Sequence, residues 1–157
     1  MAETVAVSIP VARLNHAVLF VRDAAHGRQE VRTLALVLIA LGGAGGAVSR
    51  YLVDTWVSER VGGEFPWGTF VVNISGSFVL GVLFALAIER NALPSDIRLP
   101  VMTGFIGAYT TFSTLMLETW RLAETGSSAA ALANVAGSVA VGLLVMVGGL
   151  AVGRAIP

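Results

Sequence analysis

The chain has 157 residues, 55% of them hydrophobic and 13% charged, and ten arginines balance ten acidic residues to leave no formal net charge. A mean hydropathy of +0.80, with charged residues at half the quarter share usual in soluble domains, places the chain in a membrane. The balanced charge excludes a basic nucleic-acid footprint, and the absence of cysteine removes disulfides, thiol catalysis and the usual structural zinc ligands.

Residues 1–32 read as an extramembrane extension, ordered or not, ahead of a membrane domain at 33–157. Arg13, Arg22, Arg28, Arg32, His16 and His26 are scattered among apolar residues there. The longest apolar run, residues 17–21, is too short for the core of a secretory signal, and the histidine spacing matches no helical or finger-type metal set. The alternative is an extension that reflects start-site choice, with the membrane domain beginning near Val31.

Four stretches then carry no charge: 33–49, 65–88, 99–117 and 125–153. A bilayer core takes about 20 helical residues to cross, so each is long enough, or nearly so, to span it. Four helices do not enclose a wide aqueous path, which makes self-association the expectation. In the first stretch Gly42, Gly45, Gly46 and Ser49 form a small-residue strip leading to Arg50. The glycines suit close helix packing. Arg50, followed by Tyr51 and Trp56, reads equally as an interfacial anchor and as an anion-attracting mouth.

The second stretch opens at Pro66 and Trp67, and Thr69, Asn73, Gly76 and Ser77 share one face, a polar stripe on an apolar helix. An interhelical hydrogen bond is the plain role for Asn73. In the third stretch, Gly104 and Gly107 precede Tyr109, Thr110, Thr111, Phe112, Ser113 and Thr114. Two glycines and a run of β-branched and hydroxyl residues are poor helix chemistry, and a break is expected, a kinked structural helix being the alternative. Broken backbone at membrane depth must line a cavity or lie within protein; its carbonyls suit a hard cation, its amides and hydroxyls a small anion. In the fourth stretch Asn134, Gly137, Ser138 and Gly142 recur every three or four residues, and Gly149 and Gly153 continue the small-residue pattern of a packing helix.

No Asp, Glu, Lys or His falls in the middle of a stretch. That disfavours proton-coupled transport, and with no acid and base pairs or Ser/His arrangement the chain is read as not an enzyme. Neutral donors with an aromatic fit passive conduction of a small anion.

From about Leu34 to Arg154 the chain resembles the Fluc (CrcB) family of fluoride channels. The likeness rests on Gly42-Gly43 through Ser49-Arg50-Tyr51, on Gly68-Thr69 with Asn73 and Gly76, and above all on Gly104-Phe105 through Thr110-Thr111-Phe112-Ser113-Thr114. It implies an all-α integral membrane fold of four transmembrane helices per subunit, the third broken mid-membrane, in an antiparallel, dual-topology dimer with two pores. The function implied is passive, fluoride-selective export across the cell inner (plasma) membrane. By the same resemblance Asn73, Phe112, Ser113, Thr114, Ser138 and Arg50 line the fluoride pore, and the carbonyls of Gly107 and Thr110 hold a structural Na+ at the dimer centre. Asn134 stands where many members have a tyrosine, and Glu118 falls at the pore's outer end.

Two features depart from the family. Leu115 replaces a second pore phenylalanine. With both termini on one side, Arg90, Arg98 and Arg154 face Arg60 and Arg121, nearly even, but the extension's four arginines make it seven against two and favour cytoplasmic termini. The partner is therefore a second copy or an oppositely oriented homologue. A small multidrug exporter, which needs a membrane carboxylate, and a purely structural subunit are the competing readings.

Overall fold

The computed structural model describes the backbone of residues 11–156 and, Ser95 apart, the side chains of 31–156. The chain falls into two units, residues 1–36 and 37–157, and the residues expected to form the pore all belong to the second. The reading of residues 1–32 as an extension lies outside the described residues up to residue 10, and outside the described side chains up to residue 30.

The described residues contain helices and no strand. Helix α1 (Val11–Val61) ends at Gly62 and Gly63, both in the left-handed region that glycine reaches without a Cβ clash. Pro66 precedes α2 (Trp67–Phe84), which a π-helical turn, Ala85–Glu89, extends. The rings of Phe65, Trp67 and Phe70 cluster at its start, with centroids 4.6 to 5.9 Å apart. Next come α3 (Ser95–Leu99), a π-helical segment Pro100–Ile106 and the single turn α4 (Gly107–Tyr109). The backbone is then extended at Thr110 and Thr111 before α5 (Phe112–Glu124) begins. Helix α5 closes on Gly126, whose positive φ lets the Ser127 and Gly126 amides return to the Leu122 and Ala123 carbonyls. Helix α6 (Ser128–Ala155) completes the fold.

Three helical segments, Val31–Val61, Trp67–Glu89 and Ser128–Ala155, are long and apolar enough to cross a bilayer. The 99–117 stretch forms no single such helix, because the chain breaks inside it. The break falls within the expected run, but at Thr110 and Thr111 and not at the glycines. Gly104 instead allows contact with α1: a Cβ there would sit 2.8 Å from the Ile39 carbonyl oxygen. Gly42 faces the Pro100 carbonyl in the same way, at 2.6 Å, and Gly46 abuts the Phe105 backbone. On the other side α2 meets α6 through glycine. A Cβ on Gly149 would lie 3.2 Å from the Val82 nitrogen, and one on Gly153 2.7 Å from the Val82 oxygen. Backbones this close gain dispersion contact that lipid tails cannot match, so the small-residue pattern serves packing as expected.

Burial is inverted relative to a soluble domain. Val72, Asn134 and Thr69 are the largest fully buried side chains, while Leu36, Val48, Leu132, Leu143 and Leu144 are exposed. Apolar residues facing outward, with Thr69 and Asn134 hydrogen-bonded inside, suit a hydrocarbon solvent.

Candidate functional site

The site is organised by the break and by one side chain that spans it. Asn73, on the polar stripe of α2, donates through Nδ2 to the Thr111 carbonyl at 3.0 Å and accepts at Oδ1 from the Thr111 amide at 2.8 Å. One carboxamide thus serves both backbone polar groups of a residue that has left the helix. Thr111, at φ −145° and ψ 118°, is also the N-cap of α5, its Oγ1 accepting from the Thr114 amide at 3.3 Å and donating to the Thr114 hydroxyl at 3.0 Å. Gly76 makes room for this corner, since a Cβ there would collide with the Thr110 methyl and lie 3.1 Å from the Tyr109 ring. Ser75 and Tyr109 share a hydroxyl contact of 2.9 Å behind it.

These bonds leave carbonyls without their helical donors. The Thr111 amide, which would serve Gly107 in an unbroken helix, is bound by Asn73, and the Thr114 amide, which would serve Thr110, is bound by the Thr111 hydroxyl. The Gly107 and Thr110 carbonyls are therefore donors of the kind a hard cation takes. Among the described residues no group of three or more His, Cys, Asp or Glu forms a metal cluster.

Two pockets meet at Thr111. A groove of about 240 Å³ is bordered by Asn73, Ser77, Thr110, Phe112, Leu115 and Ser138, none of them charged. The Ser138 hydroxyl is buried there with no partner among the described residues. Phe112 is 72% exposed, its ring standing free at the groove's edge, while Leu115 is buried at 5%. The second pocket, about 260 Å³, is bordered by Arg50, Asp54, Thr69, Thr111 and Thr114.

Asn73, Phe112 and Ser138 thus share the groove, whereas Thr114 and Arg50 border the second pocket. Ser113 is exposed on α5 with its hydroxyl 3.4 Å from that of Thr111. Gly107 borders neither pocket and joins Thr110 only through the freed carbonyls. Glu118 accepts from the buried Thr69 hydroxyl at 2.8 Å, and its Oε2 is buried without a partner. Asn134, fully buried, donates to the Thr119 hydroxyl at 2.9 Å and so fastens α6 to α5. Two residues lacked an assigned role from sequence. Thr111 carried a signal in its position as a hydroxyl ahead of a helix start. Asp54, beyond the charge-free stretch, carried one in its four-residue spacing from Arg50.

Apolar helices of membrane length, with polar groups gathered at an interrupted helix, define a multi-pass α-helical membrane protein whose uncharged groove suits an ion path better than catalysis. The model of the CrcB-like proteins, described as camphor resistance (CrcB), matches residues 37–150, and the chain belongs to that family. It is 46% identical over 121 residues to a protein of Hahella chejuensis named fluoride-specific ion channel FluC, covering 77% of this chain and 95% of the relative. A FluC 1 of Symbiobacterium thermophilum is 46% identical, with 76% and 98% covered. A FluC of Magnetococcus marinus is 45% identical, 78% of this chain spanning the whole relative. The family is one of ion channels and not of enzymes.

Proposed function

We propose that the chain is a subunit of a fluoride-selective channel through which the anion leaves the cytoplasm passively, lowering its toxicity. The observation that carries this reading is the uncharged groove of amide and hydroxyl groups at the broken helix, in a chain whose relatives are named fluoride-specific ion channels. Fluoride is small and strongly hydrated, so a narrow path must replace its water with several aligned donors and yet release it. The second N–H of Asn73, the hydroxyls of Ser113, Thr114 and Ser138, and the positive rim of Phe112 supply such donors without a fixed charge in the groove. Arg50 draws the anion toward the break from the other pocket.

The groove is open on one side and Phe112 stands beside it uncovered. An antiparallel second subunit, with the four spans of each lying in the inner membrane and the third broken at its middle, would cover that side and give two pores at the interface. That subunit is an identical copy or an oppositely oriented homologue. At the dimer centre the Gly107 and Thr110 carbonyls would hold a structural Na+, which supplies the positive charge those carbonyls lack once their amides are bound elsewhere.

Liposomes reconstituted with the purified chain and loaded with fluoride are expected to release it while retaining chloride and bromide, with no imposed proton gradient. Phe112→Ala should cut the flux sharply with the subunit's fold intact, because the exposed ring makes little contact within the chain. Vesicles that leak bromide equally, or stay sealed to every halide, overturn the proposal. Efflux that requires a proton gradient would instead favour an exporter working through Glu118.

A further inference from the structure

We propose that Asp54 sets how loosely fluoride is held at the mouth of the path, by offsetting the charge of Arg50 in the pocket they share; this rests on the fluoride-channel reading. The two residues lie one turn apart on α1 and border the same pocket of about 260 Å³ with Thr69, Thr111 and Thr114. The lining holds one cation and one anion, a formal charge of zero. Among the described hydrogen bonds the Asp54 carboxylate takes one, from the Ser58 hydroxyl at 3.3 Å, too long to absorb its charge. Helix α2 presses against this turn. A Cβ on Gly68 would strike the Asp54 carboxylate and lie 2.6 Å from the Asp54 carbonyl oxygen, so the side chain is held beside Thr69.

The charged groups around the pocket are Arg50 and Asp54 from α1 and Glu118 from α5, bound to Thr69 at 2.8 Å; α2 contributes none. Without the Asp54 charge the Arg50 guanidinium would be opposed by Glu118 alone, behind Thr69, and in a partly dewatered pocket would bind a small anion more tightly and slow its release. A carboxylate on the same wall weakens that hold while leaving the attraction that brings the anion in. Fluoride then passes to the donors around Thr111, the residue shared by the two pockets.

The test is fluoride conduction by the full chain in planar bilayers, measured against fluoride concentration. Asp54→Asn keeps the shape and removes the charge. At low ionic strength its half-saturating fluoride concentration should fall about fivefold or more, with a lower saturating rate. The difference should shrink in about 1 M of an impermeant salt. Asp54→Glu should behave as wild type, and Asp54→Ser repeats the neutralisation should the Asn variant fail to fold. Neutral variants with unchanged half-saturation, or a shift that Asp54→Glu shares or that salt leaves untouched, overturn the role of Asp54 alone. A wild-type chain that conducts no fluoride overturns the channel reading as well.

Discussion

Asn73 has two duties that a single measurement would confuse. Its carboxamide holds both polar groups of Thr111, a residue only 8% exposed, so removing it strands a buried amide and a buried carbonyl. Each costs about 1–3 kcal/mol when left unpaired. Asn73→Ala is therefore expected to lower the thermal midpoint of the detergent-solubilised protein as well as its flux. Ser138 has no partner among the described residues. Ser138→Ala, which removes a buried unpaired hydroxyl, is expected to leave the same midpoint unchanged or raised while slowing fluoride efflux. Comparing the two substitutions by melting and by efflux separates residues that hold the break from residues that serve the ion. The polar stripe containing Asn73 was legible in the sequence from its helical spacing. Its bond to Thr111, 38 residues away, was not, because spacing along one helix says which residues share a face and not what that face meets.

Between elements, glycine fixes how closely α2 approaches α6 and how closely α1 approaches the π-helical segment. A Cβ at Gly149 would lie 3.1 Å from the Phe78 carbonyl carbon and 3.2 Å from the Val82 nitrogen, both unyielding backbone atoms. Gly148, its neighbour on α6, has nothing within 4 Å. Gly149→Ala is expected to cost about 1–3 kcal/mol through displaced helices. Gly148→Ala should be neutral or stabilising by up to about 1 kcal/mol, since alanine favours helix. Melting curves of the two variants check the pair. The sequence marked this packing helix by its small residues and singled out Gly149 and Gly153; that the face they share meets α2 was decided by the rotation of α6. The same limit applies to the third stretch. Its composition announced a break, but the position was decided where Asn73 captures Thr111 and Gly76 admits the corner.

For the whole molecule, the proposed second subunit would cover the open groove and the bare Phe112 ring. The chain contains no cysteine, so Phe112→Cys introduces a single thiol. A partner covering that face is expected to bring two such thiols or their neighbours within crosslinking reach in membranes; a variant that remains monomeric under oxidation would argue against this face as the interface. Purification of the chain expressed alone decides between partners. A conducting homodimer removes the need for a homologue, whereas an inactive chain rescued by a homologue supports one-way insertion driven by the arginines of the extension. The Arg154 and Glu89 pair ties α6 to the end of α2, with the Arg154 Nε and Nη2 groups both donating to the carboxylate. Because Arg154 is 58% exposed, Glu89→Gln should leave the same melting curves nearly unchanged.

Membrane residence, the small-residue packing faces and the interrupted third stretch were settled by the sequence alone, because each follows from local composition and from a period the backbone imposes. The polar groups proposed to line the ion path were also visible there, in stretches that exclude charge. Tertiary structure alone decided that Asn73 braces the break, that the Gly107 carbonyl loses its amide to Asn73 and that Phe112 stands uncovered. Each depends on the register between helices far apart in the chain, and that register comes from backbone contacts at glycine and a few buried hydrogen bonds, which no local pattern encodes.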